Sequence, residues 1–229
     1  FDPARAMLAY VKGFLLLGHK NVLYDYTVPG TPVTIHTHRL ASWNWRDACE
    51  GLSVVYFLGG IGDRWHVMRS SIQAATGTVL DPPIVAATLP EGEFAYAISS
   101  YLGYVLIGVH QGWRFASSDG TGNLTYGQII RTPHPVRCFE GQDRFVWFGL
   151  SAQASDALDP HTQRHEIWSD WAGLGRADLS TFVSSLTPAA ASDIYADDAL
   201  GQYGDTTSVV TVGGEGDGLG VRAFAVQGS

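Results

Sequence analysis

The chain has 229 residues, of which 45% are hydrophobic, 12% aromatic and only 16% charged, enough apolar content for a full core and opposite to the signature of disorder. Its net charge is −8 and its 14 Lys and Arg residues form no run, so nucleic acid is not an expected partner; the longest apolar stretches, such as residues 54–58, are far shorter than a membrane span. Two cysteines, Cys49 and Cys138, exclude a disulfide scaffold at this size and are expected to be free thiols, while 27 glycines mark a turn-rich fold.

In chain order, the first element is GFLLLGHKNVLYDY (13–26), an apolar run, a glycine, a short turn and a second run. ACEG (48–51) leads into LSVVYFLGGIGDRWHVM (52–68), which has the same form. EFAYAIS (93–99) alternates around Phe94, Tyr96 and Ile98 and leads into YVLIGVHQGWRFA (104–116); LTYGQII follows the polar turn DGTGN, so this stretch reads as four short strands. PVRCFEGQ (135–142) precedes RFVWFG (144–149), which resumes at GLGRADL (173–179), and TSVVTVGGEGDGLGVRAFAV (207–226) is the fifth copy.

The glycines closing the first run of each copy are Gly18, Gly59, Gly108, Gly149 and Gly213, at steps of 41, 49, 41 and 64 residues. An insertion over 152–170 accounts for the long step, and the others fall in the range of about 40 to 50 residues expected of propeller blades. The expectation is an all-β chain: one β-propeller domain, or a fragment of one, over residues 1–229, made of four-stranded antiparallel blades of which about five are visible. Blades arranged radially bury both faces against neighbours, which suits uniformly apolar second strands. Because the chain opens at Phe1 and almost directly on a strand, it reads as a piece of a larger propeller. A two-sheet sandwich is the competing architecture.

The units IGVHQGWRFASSDGTGNLTYG, PVRCFEGQDRFVWFG, and GLGRADLSTF with TPAAASDIYA resemble β-propeller regions of minor tail proteins of tailed phages infecting actinobacteria, over roughly residues 52–226. The resemblance implies a virion structural protein located in the tail, at its tip or in an attached fibre, whose partners are other tail proteins and a host cell-envelope glycan or protein. It implies no catalytic residue and no cofactor. The 152–170 insertion departs from the pattern and reads as a contact loop or a short helix.

Motifs with chemical content are few. SSDGTGNLTY (117–126) is close to the S-x-D-x-G-x-x-W hairpin of sialidase-type propellers, in which Asp119 would accept backbone N–H bonds while glycine supplies positive φ; it is a structural turn. His161 and His165, four apart beside Glu166, would share one face of a helix as metal ligands can, but lack the His-Glu-x-x-His order. His36 and His38 share a strand face. Asp193, Asp197 and Asp198 lack calcium-loop spacing, and GGEGDGLG (213–220) reads as a hairpin turn, not a nucleotide fingerprint. Asp63, Asp119, Asp143 and Asp178 lie in different units, with nothing to pair them as hydrolytic carboxylates.

No catalytic, cofactor or metal site is therefore expected. Trp65, Trp113 and Trp147 lie inside the repeats and read as packing. Trp43 with Trp45, and Trp168 with Trp171, lie outside the regular runs and are the candidate contacts for a partner protein or glycan, with gap-filling between blades as the competing reading. Function reads as a non-enzymatic assembly scaffold that also contacts the host surface. The alternative is a carbohydrate-binding or glycoside-processing propeller.

Overall fold

Short apolar runs broken by glycine-bearing turns make hairpins, and the computed structural model of the protein is built of little else. It describes residues 6–73, 77, 79–127, 129–132, 135–151, 154–158, 165–167, 172–178 and 210–211. The first sheet comprises β1 (Ala6–Val11), β2 (Phe14–His19), β3 (Val22–Asp25) and β4 (Val33–Thr37); the second β5 (Asn44–Glu50), β6 (Val54–Ile61), β7 (Arg64–Ser71) and β8 (Ile84–Thr88). The third contains β9 (Ala95–Tyr101), β10 (Tyr104–Val109), β11 (Gly112–Ser118) and β12 (Leu124–Tyr126), with β13 (Ile130–Arg131) also pairing β11. In the fourth, β14 (Val136–Gln142) and β15 (Phe145–Ser151) are followed by β18 (Ala172–Asp178) and β19 (Val210–Thr211), while β16 (Ala154–Leu158) and β17 (His165–Ile167) pair with each other.

The protein is thus all-β, and the described residues form four antiparallel sheets of four or five strands in which, β13 apart, spatial order follows chain order, with the β16–β17 pair beside them in the chain. Among the described residues no helix is long and apolar enough to cross a membrane. The tight turns are chemically specified: Lys12–Gly13 and Leu102–Gly103 carry positive φ at both central residues (49° and 87°, 50° and 84°), the backbone twist that two-residue hairpins need.

Two sequence expectations change here. The first run of the expected fifth unit contributes β19, whose Val210 and Thr211 pair with Leu174 and Gly173 as the last strand of the fourth sheet. A short apolar run has the same composition in an inner or an outer strand, so its period does not say which sheet it joins. Within the insertion, Ala154 pairs with Ile167 and Leu158 with His165, a two-stranded hairpin in place of a short helix.

The chain divides into two compact units, Phe1–Ile107 with Ala116–Thr125, and Gly108–Phe115 with Tyr126–Ser229. In the first, β1 packs on β5 and β5 on β9, so the opening strands of successive sheets follow one another in space. A core between the first two sheets gathers Met7, Phe14, Leu16, Leu23, Val55 and Phe57. β6 is buried along nearly its whole length, as a strand covered on both faces should be, whereas β2 alternates buried and exposed because one face of the first sheet is open. In the second unit, Trp113 packs edge-on against Phe139 and, tilted, against Phe148, with ring centroids 6.0 and 5.8 Å away.

Of the repeating glycines, Gly18, Gly59, Gly108 and Gly149 are strand residues, and at the first three a neighbour approaches closely, while Gly213 lies outside the described residues. A methyl at Gly18 would lie 2.5 Å from Trp45 Cβ, and one at Gly108 would lie 2.6 Å from the carbonyl oxygen of Val136. In both cases the intruder belongs to the first strand of the following sheet. Both cysteines are free thiols.

Candidate functional site

Because β1, β5 and β9 lie side by side, the turns that follow them gather at one end of the first unit and enclose a cleft of about 520 Å³. The β1–β2 turn supplies Lys12, whose Nζ donates to the Leu52 carbonyl at 3.0 Å and so ties two of the turns together. The β5–β6 connection supplies Glu50 and Leu52, the latter 97% exposed. The β9–β10 hairpin supplies Ser100, Tyr101, Leu102 and Tyr104. Leu102 is 55% exposed and left-handed, a conformation that costs a branched residue about 1–2 kcal/mol relative to glycine.

The remaining wall is the turn after β11. Asp119 organises it: its Oδ1 accepts from the Thr121 N–H and hydroxyl, both at 2.8 Å, and from the Asn123 N–H at 2.9 Å, while Oδ2 accepts from Asn123 Nδ2 at 3.1 Å. These bonds, the Thr121 hydroxyl first, hold the carboxyl at about 2, and Gly122 supplies the positive φ of 88°. Asp119 therefore does the structural work expected of it. Tyr56 backs this wall; its hydroxyl donates to the Gly122 carbonyl at 3.0 Å and meets Ser118 Oγ at 2.8 Å, and burial raises its pKa.

The tryptophan pair expected at a contact surface is elsewhere. Trp43 and Trp45 are 2% and 1% exposed and belong to the core between the first two sheets, so neither ring is available to a partner. The reason is register: β5 begins at Asn44, ahead of the ACEG stretch, and Trp45 is an inward-facing strand residue paired with Gly59. Trp43 lies stacked between His38 and His66, at centroid distances of 4.0 and 5.7 Å. His36 meets Trp45 edge-on at 6.2 Å. Burial lowers the pKa of all three histidines, and the neighbouring His36 lowers His38 further. His38 Nδ1 accepts from the Leu40 N–H at 3.3 Å. The sequence pairs His36 with His38 but gives no sign of His66, which arrives from another sheet.

Trp168 and Trp171 lie outside the described residues, as do His161 and Asp193, Asp197 and Asp198. His165 is in strand β17, not on a helix. Trp65 and Trp113 are packing residues as expected, and the Arg176 guanidinium covers the Trp147 ring at 5.4 Å. Asp63 and Asp143 lie in the β6–β7 and β14–β15 turns, one in each unit. Among the described residues no group of three or more His, Cys, Asp or Glu side chains is gathered to hold a metal ion.

No protein-family model and no curated protein matches the chain. Among solved structures it is similar to the PQQ-bound form of an aldose sugar dehydrogenase from Streptomyces coelicolor, at 11% identity and a TM-score of 0.46, over 76% of this chain and 73% of that one. It is also similar to the computationally designed Ika8 protein, at 9% identity and a TM-score of 0.38, over 76% and 57% of the two chains. Similarity at this level carries no inference about what the chain does.

Proposed function

We propose that the chain is a β-propeller module of a virion tail, working as an assembly scaffold and not as an enzyme. The observation that carries the scaffold reading is the open face of the first sheet. Along β1, Leu8 and Tyr10 are 71% and 75% exposed, alternating with the buried Met7 and Val11. Leu15 of β2, paired with Tyr10, extends the patch. The facing side of the same sheet is covered by β5, and β6 is covered on both faces, so an apolar face open to water is out of keeping with the rest of the unit. Serial packing of β1, β5 and β9 supports a radial arrangement, and the virion assignment comes from the repeat wording.

The scaffold reading predicts that Leu8→Lys and Tyr10→Lys, which add charge at exposed positions without touching the core, weaken capture of neighbouring tail proteins by about tenfold or more, the equivalent of about 1.4 kcal/mol. Capture equal to wild type sinks it. Immunogold labelling of particles carrying this chain is expected to decorate the tail; particles without gold overturn the virion assignment.

A further inference from the structure

We propose that the cleft formed by the β1–β2, β5–β6 and β9–β10 turns is a carbohydrate site, taking one or two neutral or amino sugar residues. It goes beyond the assembly reading, which uses the open face of the first sheet.

At about 520 Å³ the cleft is of small-molecule size, with room for a disaccharide. Its wall mixes the rings of Tyr101 and Tyr104 with polar groups, the Ser100 hydroxyl and the Glu50 carboxylate, while Ser118 Oγ is already held by Tyr56 and the Asp119 carbonyl. An apolar occupant would cover the Ser100 hydroxyl and the Glu50 carboxylate and return no hydrogen bond. A sugar returns hydrogen bonds from its edge while its C–H face packs on Tyr104, Leu52 and Leu102.

Charge narrows the class. Glu50 and Asp119 outnumber Lys12, so phosphorylated or uronic ligands meet net repulsion. The carboxylate oxygens of Asp119 are occupied by Thr121 and Asn123, and Lys12 is engaged by Leu52. Glu50, exposed at the rim, is left to accept from a sugar hydroxyl or an ammonium. Leu102, whose left-handed φ is set by the hairpin turn, adds an exposed apolar side chain to the rim.

The test is saturation-transfer NMR and calorimetry on the full chain with cellobiose, chitobiose, the glucosamine dimer and a uronic-acid disaccharide. Transfer is expected from the neutral and amino disaccharides and not from the uronate. Glu50→Gln is expected to weaken the glucosamine dimer at least tenfold, and Tyr104→Ala to weaken every binder, with Tyr104→Phe retaining the ring contact should the alanine variant fold poorly. Ile84→Ala, exposed on β8 and apart from the residues lining the cleft, is the control. Absence of transfer from every neutral and amino disaccharide, tightest binding of the uronate, or wild-type affinity in Glu50→Gln and Tyr104→Ala would each overturn the proposal. Sugar binding without tail-protein capture sinks only the assembly reading, and capture without sugar binding sinks only this one.

Discussion

Gly18 of β2 has Trp45 of β5 where its own side chain would be: a methyl carbon there would lie 2.5 Å from Trp45 Cβ. The obstructing atom is next to the backbone and cannot swing away. Gly108 repeats the relationship in the second unit, with the Val136 carbonyl oxygen at 2.6 Å. Gly18→Ala and Gly108→Ala are therefore each expected to destabilise by about 1–3 kcal/mol, the usual cost of overpacking. Gly120→Ala, which meets nothing within 4 Å, is expected to stay within about 0.5 kcal/mol of wild type. Urea unfolding of the three variants decides it, and a neutral Gly18→Ala would show that the following sheet does not approach β2 this closely.

That glycine is the most legible feature of the sequence, and its meaning the least. Its recurrence at Gly18, Gly59 and Gly108 marks the second strand of each of the first three sheets, but the cause is a neighbour's approach and not a turn: across sheets at Gly18 and Gly108, and from the Trp43 ring beside the same sheet at Gly59. The hairpin pairs are readable because alternation and turn chemistry are local. Burial of Trp43 and Trp45 is not, since it depends on where β5 begins and on rings arriving from β4 and β7. The cleft leaves no mark on the apolar runs, although its turns recur with the repeat at Lys12, Leu52 and Leu102, because its walls come from between those runs and meet only once the sheets stack.

Asp47 of β5 links the second and third sheets: its Oδ2 accepts from the Ile98 N–H and its Oδ1 from the Ala48 N–H, both at 2.9 Å. Desolvation outweighs these bonds and raises its pKa from 3.8 to about 6. The folded state therefore favours the protonated carboxyl. The stability this residue contributes is full below pH 3.8 and is lost as pH rises through about 6, by about 3 kcal/mol at most. Asp47→Asn carries no titrating group but keeps a single acceptor oxygen, its NH2 facing the other N–H, so the variant is expected to be less stable than wild type near pH 4 and to lose that deficit as pH rises to 7. Denaturant midpoints of both proteins across pH 4 to 8 measure the difference, in which the other carboxylates cancel. A gap that stays constant over that range rules the account out.

Asp119 behaves in the opposite sense. Its carboxyl titrates at about 2 in the fold, so the stability it gives is present above pH 3.8 and disappears as pH falls through 2. Asp119→Ala removes the acceptor for two backbone N–H groups and is expected to speed amide exchange at Thr121 and Asn123 while leaving β5–β8 protected. Equal exchange rates in variant and wild type would mean that the turn holds its shape without the carboxylate.

Leu102 sets stability against recognition at a single position. Its φ of 50° is readily adopted by asparagine, and being 55% exposed its side chain loses little burial on replacement. Leu102→Asn is expected to gain about 1 kcal/mol by relieving the left-handed strain, raising the melting temperature by about 2–4 °C for a chain of this size. The same change removes an apolar rim contact from the cleft, so disaccharide affinity should fall as the melting temperature rises. Opposite movement of the two is what a strained recognition residue produces. A variant that is more stable and binds as well as wild type would leave Leu102 as a poorly chosen turn residue with no part in binding.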